Sequence, residues 1–428
     1  MVLPKSIRVL GFVSLLWFQS VLAFAQSGAL AQLDGTVKDS SGAVIPDAKV
    51  TLQNTETDQI RTVLSSSEGQ YVLPNLLPGV YQFIAEARGF ATLRFDRVEL
   101  TVGQKATINP QLQVRHLTAE VLVSAATPLI EPARTEQSQV VEEKRIEDLP
   151  INGRQFLDFV LLTPDVGTGR SDIGNEYMPG EPGQVDLSFM GLGETASLVT
   201  VDGADNTGRE FGRSRSTPSQ EAVREFRVVA NSYTADQGPS AGGVINIVTK
   251  SGTNSLQGSV YYYLRNDALD AHNLLAPKGF DELRQNQFGT TLGGPLIKNK
   301  AFIFGNYEGQ RRNESPFYSS TLLSNLADIN AAKQTLGLSP EVLTGKIRKT
   351  DYDSFFVRND TQLGKNLMAL TYRLNDNRGT NIGAATGQLS APSNFRNLKI
   401  RDQALAFNLN NQHFVQGLQS GSFPIRST

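Results

Sequence analysis

Gly242-Gly243-Val244-Ile245-Asn246-Ile247-Val248-Thr249-Lys250-Ser251-Gly252-Thr253-Asn254 is the stretch on which the reading of this chain turns. A run of branched apolar residues bounded by glycines reads as a strand entered and left through turns. Upstream, Leu198-Val199-Thr200-Val201-Asp202-Gly203 reads as a second strand that ends in an Asp-Gly turn. Phe156 to Leu162, followed by Thr163-Pro164, reads as a short buried helix stopped by its proline. Glu221 to Phe226 is amphipathic, and Val228-Val229 continues into a strand. Residues 116–252 are therefore expected as one α+β unit, entered through a linker that carries Pro128 and Pro132.

After this unit the pattern changes to alternation over lengths near the ~9–11 residues of a tilted membrane strand. Val260, Tyr262 and Leu264 oppose Ser259 and Arg265, and Phe288, Thr290, Leu292 and Leu296 oppose Gln287, Gly289, Thr291 and Gly293. Phe355, Val357, Thr361 and Leu363 oppose Arg358, Asp360 and Gln362. Met368, Leu370, Tyr372 and Leu374 oppose Ala369, Thr371 and Arg373, while Leu405, Phe407 and Leu409 oppose Ala404, Ala406 and Asn408. Ala301 to Tyr307 is aromatic-rich but does not separate its two faces. Apolar-out, polar-in alternation marks an outer-membrane barrel. A soluble sandwich has the same period; the long polar connection Asn313 to Lys349 favours the barrel, and Asn325 to Leu336 within it is expected as a surface helix. Residues 253–428 hold about six such strands, against about 22 in plugged outer-membrane transporters. The polar tail Gln416 to Thr428 does not read as a closing strand, so the expectation is an incomplete antiparallel barrel.

At the amino end, Lys5 and Arg8 precede an apolar run from Val9 to Phe24, and Ala23-Phe24-Ala25 supplies a cleavage pattern. Residues 1–25 read as a signal peptide, with the mature chain starting at Gln26. Residues 28–115 alternate short apolar runs with turns such as Asp39-Ser40-Ser41-Gly42, Glu68-Gly69 and Pro78-Gly79. Ala48, Val50 and Leu52 share a face, as do Tyr81, Phe83, Ala85 and Ala87, which argues for a small β-sandwich. The run Gly35-Thr36-Val37, Gly69-Gln70-Tyr71, Leu77-Pro78-Gly79-Val80-Tyr81 and Gly89-Phe90 resembles the carboxypeptidase regulatory-like domain. That resemblance implies a transthyretin-like fold, classed with carbohydrate-binding-like folds. Tyr71, Tyr81, Phe83 and Phe90 lie at core positions, which favours a spacer over a glycan site.

Composition removes several function classes. The chain has 428 residues, no cysteine, three histidines far apart (His116, His272, His413) and a formal charge of −2. Disulfides, thiolate metal sites and cysteine nucleophiles are excluded, a histidine metal cluster is not expected, and no basic field invites nucleic acid. Gly238-Pro239-Ser240-Ala241-Gly242 matches the G-x-S-x-G elbow formally, but a polar loop precedes it and a strand follows, the reverse of the elbow's context. No catalytic residue, metal or cofactor is therefore expected. Arg209, Arg213 and Arg215 follow the Asp-Gly turn in a polar loop and read either as solvated charges or as an anion-attracting apex.

The ordered set resembles the plug of TonB-dependent outer-membrane receptors, especially the Oar-like subfamily. There the same order recurs: a regulatory-like extension, a coupling segment, an LPINGR-like start, a VDG strand and a GGVINIVTKSGTN exit. Leu149 to Arg154, Val201 to Gly203 and Gly242 to Asn254 carry these here. The resemblance implies that the β-prone Val121, Leu122, Val123 and Ser124 form the TonB box; from the residues alone they read equally as the exit strand of the sandwich. It also implies an outer-membrane location with the amino-terminal extension in the periplasm. The implied partners are the inner-membrane complex of TonB, ExbB and ExbD, outer-membrane lipid and an extracellular ligand, with a glycan among the candidates. The rival reading is a non-transporting surface protein that binds carbohydrate or serves adhesion.

Overall fold

Alternation at period two in the first hundred residues builds two sheets that close on one apolar core. The computed structural model describes residues 29–114, 120–123, 131, 136–149, 151, 154–168, 187–193, 196–208, 213–215, 217–233, 240–271, 282–316, 318, 320–364, 366–382 and 391–411. The signal segment, the three histidines and the tail after residue 411 lie outside these.

The sandwich comprises β1 (Ala31–Thr36), β2 (Lys38–Asp39), β3 (Lys49–Asn54), β4 (Ile60–Leu64), β5 (Gln70–Leu76), β6 (Gly79–Glu86), β7 (Thr92–Leu100), β8 (Lys105–Thr107) and β9 (Gln111–Leu112). One sheet runs β5-β1-β8 and a second includes β7-β6-β3-β4. Leu33, Val50, Leu52, Tyr71, Tyr81, Phe83 and Leu100 fill the space between them. The tyrosine hydroxyls are satisfied inside: Tyr71 donates to the carbonyl of Ile108 at 2.7 Å and Tyr81 to that of Leu77 at 2.6 Å. These aromatics are core, as the alternation predicts. At Gly35 a Cβ would fall 1.7 Å from the Ile108 carbonyl oxygen, so the two segments can approach only with glycine there.

A tenth strand, β10 (Glu120–Val123), adds to β7 in parallel, with Val121 opposite Leu93 and Val123 opposite Phe95. It lies beyond residue 115, where the sandwich is expected to end, and forms one edge of the sheet β10-β7-β6-β3-β4.

The second unit has β11 (Gln137–Glu142), α1 (Glu143–Asp148), β12 (Val166–Thr168), β13 (Leu187–Phe189), β14 (Leu198–Val201), β15 (Ala204–Asp205), β16 (Thr207–Gly208), β17 (Arg213–Ser214), β18 (Val223–Asn231) and β19 (Val244–Thr249). Its main sheet runs β11-β18-β19-β14-β15. All six residues of β19 are buried, which is why apolar residues stand on both of its faces, with Asn246 accepting from the Thr200 hydroxyl at 2.7 Å. Phe156 to Leu162 forms a 3₁₀ helix, and its Phe156 and Val160 pack on Phe226, Val228, Ile245 and Ile247. The amphipathic Glu221 to Phe226 is mostly strand: a 3₁₀ turn at Gln220–Ala222 gives way to β18 at Val223. The slot between β11 and β19, filled by branched and aromatic residues, decides this locally.

Six long strands then form an antiparallel sheet in chain order: β20 (Gln257–Asn266), β21 (Leu283–Ile297), β22 (Ala301–Glu314), β23 (Arg348–Leu363), β24 (Asn366–Ile382) and β25 (Arg396–Asn411). Among the described residues this sheet is open, without pairing between β20 and β25. Val260, Leu292, Leu405, Phe407 and Leu409 are exposed on its outer face, as the alternation predicts for a lipid-facing surface. Ala301 to Tyr307 fails to separate its faces because Phe304 turns inward, packing with Phe356 of β23 on Ala222 of the second unit. The connection between β22 and β23 carries α2 (Ser320–Ser324) and α3 (Leu326–Thr335), the latter within one residue at each end of the expected surface helix.

Candidate functional site

The second unit rests against the inner face of the six-stranded wall through buried polar contacts. Asp202 sits in the turn after β14 with φ +50, a conformation that aspartate tolerates better than most residues. Its carboxylate accepts from the Thr249 amide at 2.9 Å and from the Thr249 hydroxyl at 2.7 Å, closing the turn onto the end of β19. From the wall, Arg358 Nη1 donates to the same carboxylate at 2.8 Å and to the Thr249 hydroxyl at 3.0 Å. Two further nitrogens of Arg358 form a fork to Asp360 at 2.8 and 2.9 Å. Asn408 Nδ2 donates to the Asp202 carbonyl at 3.0 Å, so β25 grips the same turn. Arg373 donates to Asn206 at 2.6 Å, and Ser219 to Asn306 at 2.6 Å.

A second seat lies around Arg154, whose backbone is also left-handed at φ +56. Its guanidinium pairs with Glu221 and lies 4.0 Å from the ring centroid of Tyr263. Tyr261, beside it, donates to Glu308 on the wall at 2.9 Å. Buried charges are tolerated only when paired, and here every arginine of the junction has a carboxylate or amide partner.

The sandwich holds the unit at two places, the turn after β7 and Glu56. In the turn after β7, the Val102 N–H donates to Glu225 Oε1 at 2.5 Å, and its carbonyl accepts from Arg227 Nη1 at 3.1 Å. The Val102 side chain packs in a small socket with Ala29, Val140 and Val248. Burial pushes the Glu225 carboxyl up to about 7, against the lowering pull of the Val102 N–H and Arg224. Arg224 Nη1 reaches Glu56 of the sandwich at 3.0 Å; burial draws its pKa down, but Glu56 outweighs that and holds it charged. The Asn254 amide, leading into β20, donates to the Glu56 carbonyl at 2.9 Å. One turn of the sandwich thus touches both other parts.

The outer membrane beta barrel domain family matches residues 248–401, and the carboxypeptidase regulatory-like domain family matches residues 32–113. Over 301 residues the chain is 28% identical to the TonB-dependent transporter Oar of Myxococcus xanthus, covering 67% of this chain and 27% of that protein. The chain is a homologue of the Oar-type TonB-dependent transporters. It is also 30% identical over 184 residues to the probable TonB-dependent siderophore receptor PirA of Acinetobacter baumannii, covering 39% of this chain and 22% of that protein. Among solved structures, the outer membrane transporter YddB from Escherichia coli aligns at 11% identity with a TM-score of 0.46, covering 65% of this chain and 37% of that one. The chain spans about a quarter of the length of the curated relatives it matches. The wall of six strands matches an outer-membrane barrel segment, and the location is the outer membrane.

Within this Oar-type frame the residues singled out from sequence are scattered. Val121, Leu122 and Val123 lie in β10, and Ser124 is outside the described residues. Arg213 lies in β17 opposite Gly208, Arg215 is exposed with its amide bonded to the Asn206 carbonyl at 2.8 Å, and Arg209 is outside the described residues. Ser240 donates at 2.9 Å to the carbonyls of Ala196 and Gly243, so the hydroxyl of the G-x-S-x-G match is spent on backbone. Sequence reasoning missed the junction formed by Arg154, Asp202, Arg358 and Arg373. The available signal was charge on the inward face of β23 and β24, where Arg358, Asp360 and Arg373 stand at positions that a water-filled lumen does not require.

Proposed function

We propose that the full-length protein is an energy-coupled importer of the outer membrane. A ligand is captured on the extracellular side, and the plug is then displaced by a pull from an inner-membrane complex of TonB, ExbB and ExbD, applied through Val121 to Ser124. The sandwich stands on the periplasmic side of the plug. Arg209, Arg213 and Arg215 in the polar loop would favour an anionic ligand. A siderophore is one class consistent with that charge, and the relative from Acinetobacter baumannii carries that description.

The observation that carries the reading is the junction between Asp202, Thr249 and Arg358. A plug seated by exchangeable polar contacts can leave its seat when water enters, because each lost bond is replaced by hydration. An apolar seat of the same area would resist every wetting step.

The test is accumulation. Cells with and without the full-length gene are offered ferric siderophores, oligosaccharides and short peptides, and the compounds taken up are measured by mass spectrometry. Import that needs the gene and stops when the proton-motive force is collapsed supports the proposal. Binding that persists unchanged after collapse would make the protein a surface receptor without transport.

A further inference from the structure

The outer face of the six-stranded wall changes character along its length. Across β24 and β25, Met368 stands opposite Leu409, Leu370 opposite Phe407 and Tyr372 opposite Leu405, and Leu374 with Phe355 of β23 completes the apolar band. One row further the face turns charged. Asp376 stands opposite Arg401, Arg378 opposite Lys399, and Arg311 of β22 opposite Asp351 of β23. The Asp376 side chain is 7% exposed and accepts from Arg378 Nε at 2.9 Å, from Arg378 Nη2 at 2.6 Å and from Arg401 Nε at 3.0 Å. The two arginine side chains it holds are 59% and 50% exposed. Chain connections tell the two ends of the wall apart. Few residues separate β21 from β22 (298–300) and β23 from β24 (364–365), whereas many separate β22 from β23 (315–347) and β24 from β25 (383–395). The sandwich sits at the short-connection end, where Asn254 Nδ2 reaches Asp58 at 3.1 Å and Asn299 at 2.6 Å. Outer-membrane barrels turn short connections to the periplasm and long ones to the exterior, so the charged rows lie at the outer leaflet.

We infer that Arg378 and Arg401, with Lys399 beside them, bind the phosphate of a lipid headgroup in the outer leaflet. This concerns the membrane-facing surface and stands apart from any transport. Charge is the first support. Arg378 lies directly opposite Lys399, and like charges placed so are destabilising in a sheet unless an anion relieves them. Three positive side chains share the one buried carboxylate of Asp376, which leaves two positive charges over. Geometry is the second. Asp376 engages Nε and Nη2 of Arg378 and Nε of Arg401, which fixes both guanidinium planes and leaves Arg378 Nη1 and both terminal nitrogens of Arg401 outside those bonds. Planar forks held in this way suit the oxygens of a phosphate. Depth is the third and selects a lipid over a free anion. Leu374 is two residues from Asp376 along β24, about 7 Å, so an acyl chain lying on Leu374, Tyr372 and Leu405 brings its headgroup level with the arginines. A free anion gains nothing from that apolar row, whereas a lipid gains from both.

The full-length protein, purified in a neutral detergent, is incubated with diphosphorylated lipid A and with lipid A stripped of both phosphates. Bound lipid is counted by native mass spectrometry, with inorganic phosphate added as a competitor in a separate series. The wild-type protein should hold lipid A at least about tenfold more tightly than the stripped lipid. Arg378→Gln with Arg401→Gln should abolish that preference. Lys298→Gln with Lys300→Gln removes the same charge at the opposite end of the wall and should keep it. The first double variant leaves the buried Asp376 without these two partners, so a triple variant that adds Asp376→Asn is measured beside it and decides the matter should the double variant misfold. A preference for phosphorylated lipid that survives in the triple variant would overturn the assignment. So would equal retention of both lipids by the wild-type protein, which would reduce the contact to acyl chains. Displacement of lipid A by inorganic phosphate at millimolar concentration would reveal a site for free anions and would overturn it as well.

Discussion

Arg358 on the barrel wall and Asp202 in the plug meet at 2.8 Å with both side chains buried, and Thr249 lies between them as a partner to each. The contact joins β23 to the Asp-Gly turn after β14 and to the last residue of β19, where the plug passes into the barrel. At this point the second unit and the wall share a buried charge pair.

Removing one partner of such a pair leaves the other buried and uncompensated, which typically costs about 3–5 kcal/mol. Arg358→Ala should therefore loosen the plug far more than an exposed substitution does. Hydrogen exchange in β14 and β19 is the measurement, and both strands should exchange markedly faster in the variant. Wild-type protection in both would show that the plug is seated by something else.

Glu225 makes the joint between sandwich and plug sensitive to pH. Its folded-state pKa is raised by burial to about 7 from the ordinary 4.5. A raised carboxyl contributes stability that is complete below about 4.5 and is lost as pH rises through about 7, by an amount bounded near 3 kcal/mol. The protection factor of the Val102 amide should accordingly be higher at pH 5.5 than at pH 8. Glu225→Gln keeps an acceptor for that amide and should flatten the dependence. A slope that survives the substitution would assign the effect to another group.

Gly35 and Gly42 offer a paired test of the sandwich. A methyl at Gly35 meets the Ile108 carbonyl at 1.7 Å, whereas at Gly42, with φ +91, nothing lies within 4 Å. Gly35→Ala should lower the stability of the sandwich by at least about 3 kcal/mol, and Gly42→Ala by only about 1 kcal/mol. Calorimetry of the full chain would reveal the difference; similar losses would contradict the close approach of β1 to the segment after β8.

Val123→Pro removes one backbone donor from β10 and cannot continue a ladder. Uptake of whichever compound the accumulation screen returns should fall while surface binding of that compound is kept. Equal uptake by variant and wild type would leave Glu120–Val123 as a purely structural strand of the sandwich.

Legibility in the sequence followed the physics of period two. The buried β19, the outward faces of β20, β21, β23, β24 and β25, and the core positions of Tyr71, Tyr81 and Phe83 are all visible as apolar spacing, because each is set by which side of a sheet meets water or lipid. The β22 segment Ala301 to Tyr307 was opaque because Phe304 meets a plug that alternation along one strand cannot reveal. The short buried helix expected over Phe156 to Leu162 stands where the sequence puts it, as a 3₁₀ helix, but its packing on Phe226 is a contact distant in sequence and was not legible. The seats of the plug were equally hidden: Asp202 and Arg358 are 156 positions apart, and nothing local joins them.

The clasp on Val102 has one more consequence, which concerns descent rather than force. Glu225 and Arg227 hold an amide hydrogen and a carbonyl oxygen, atoms that nearly every residue carries, and the socket asks only for a small apolar side chain. A joint that recognises main chain imposes almost no spelling on the module it accepts. The sandwich could thus be exchanged or replaced over generations by any module that presents the same reverse turn and an acidic partner for Arg224, with the second unit left unaltered.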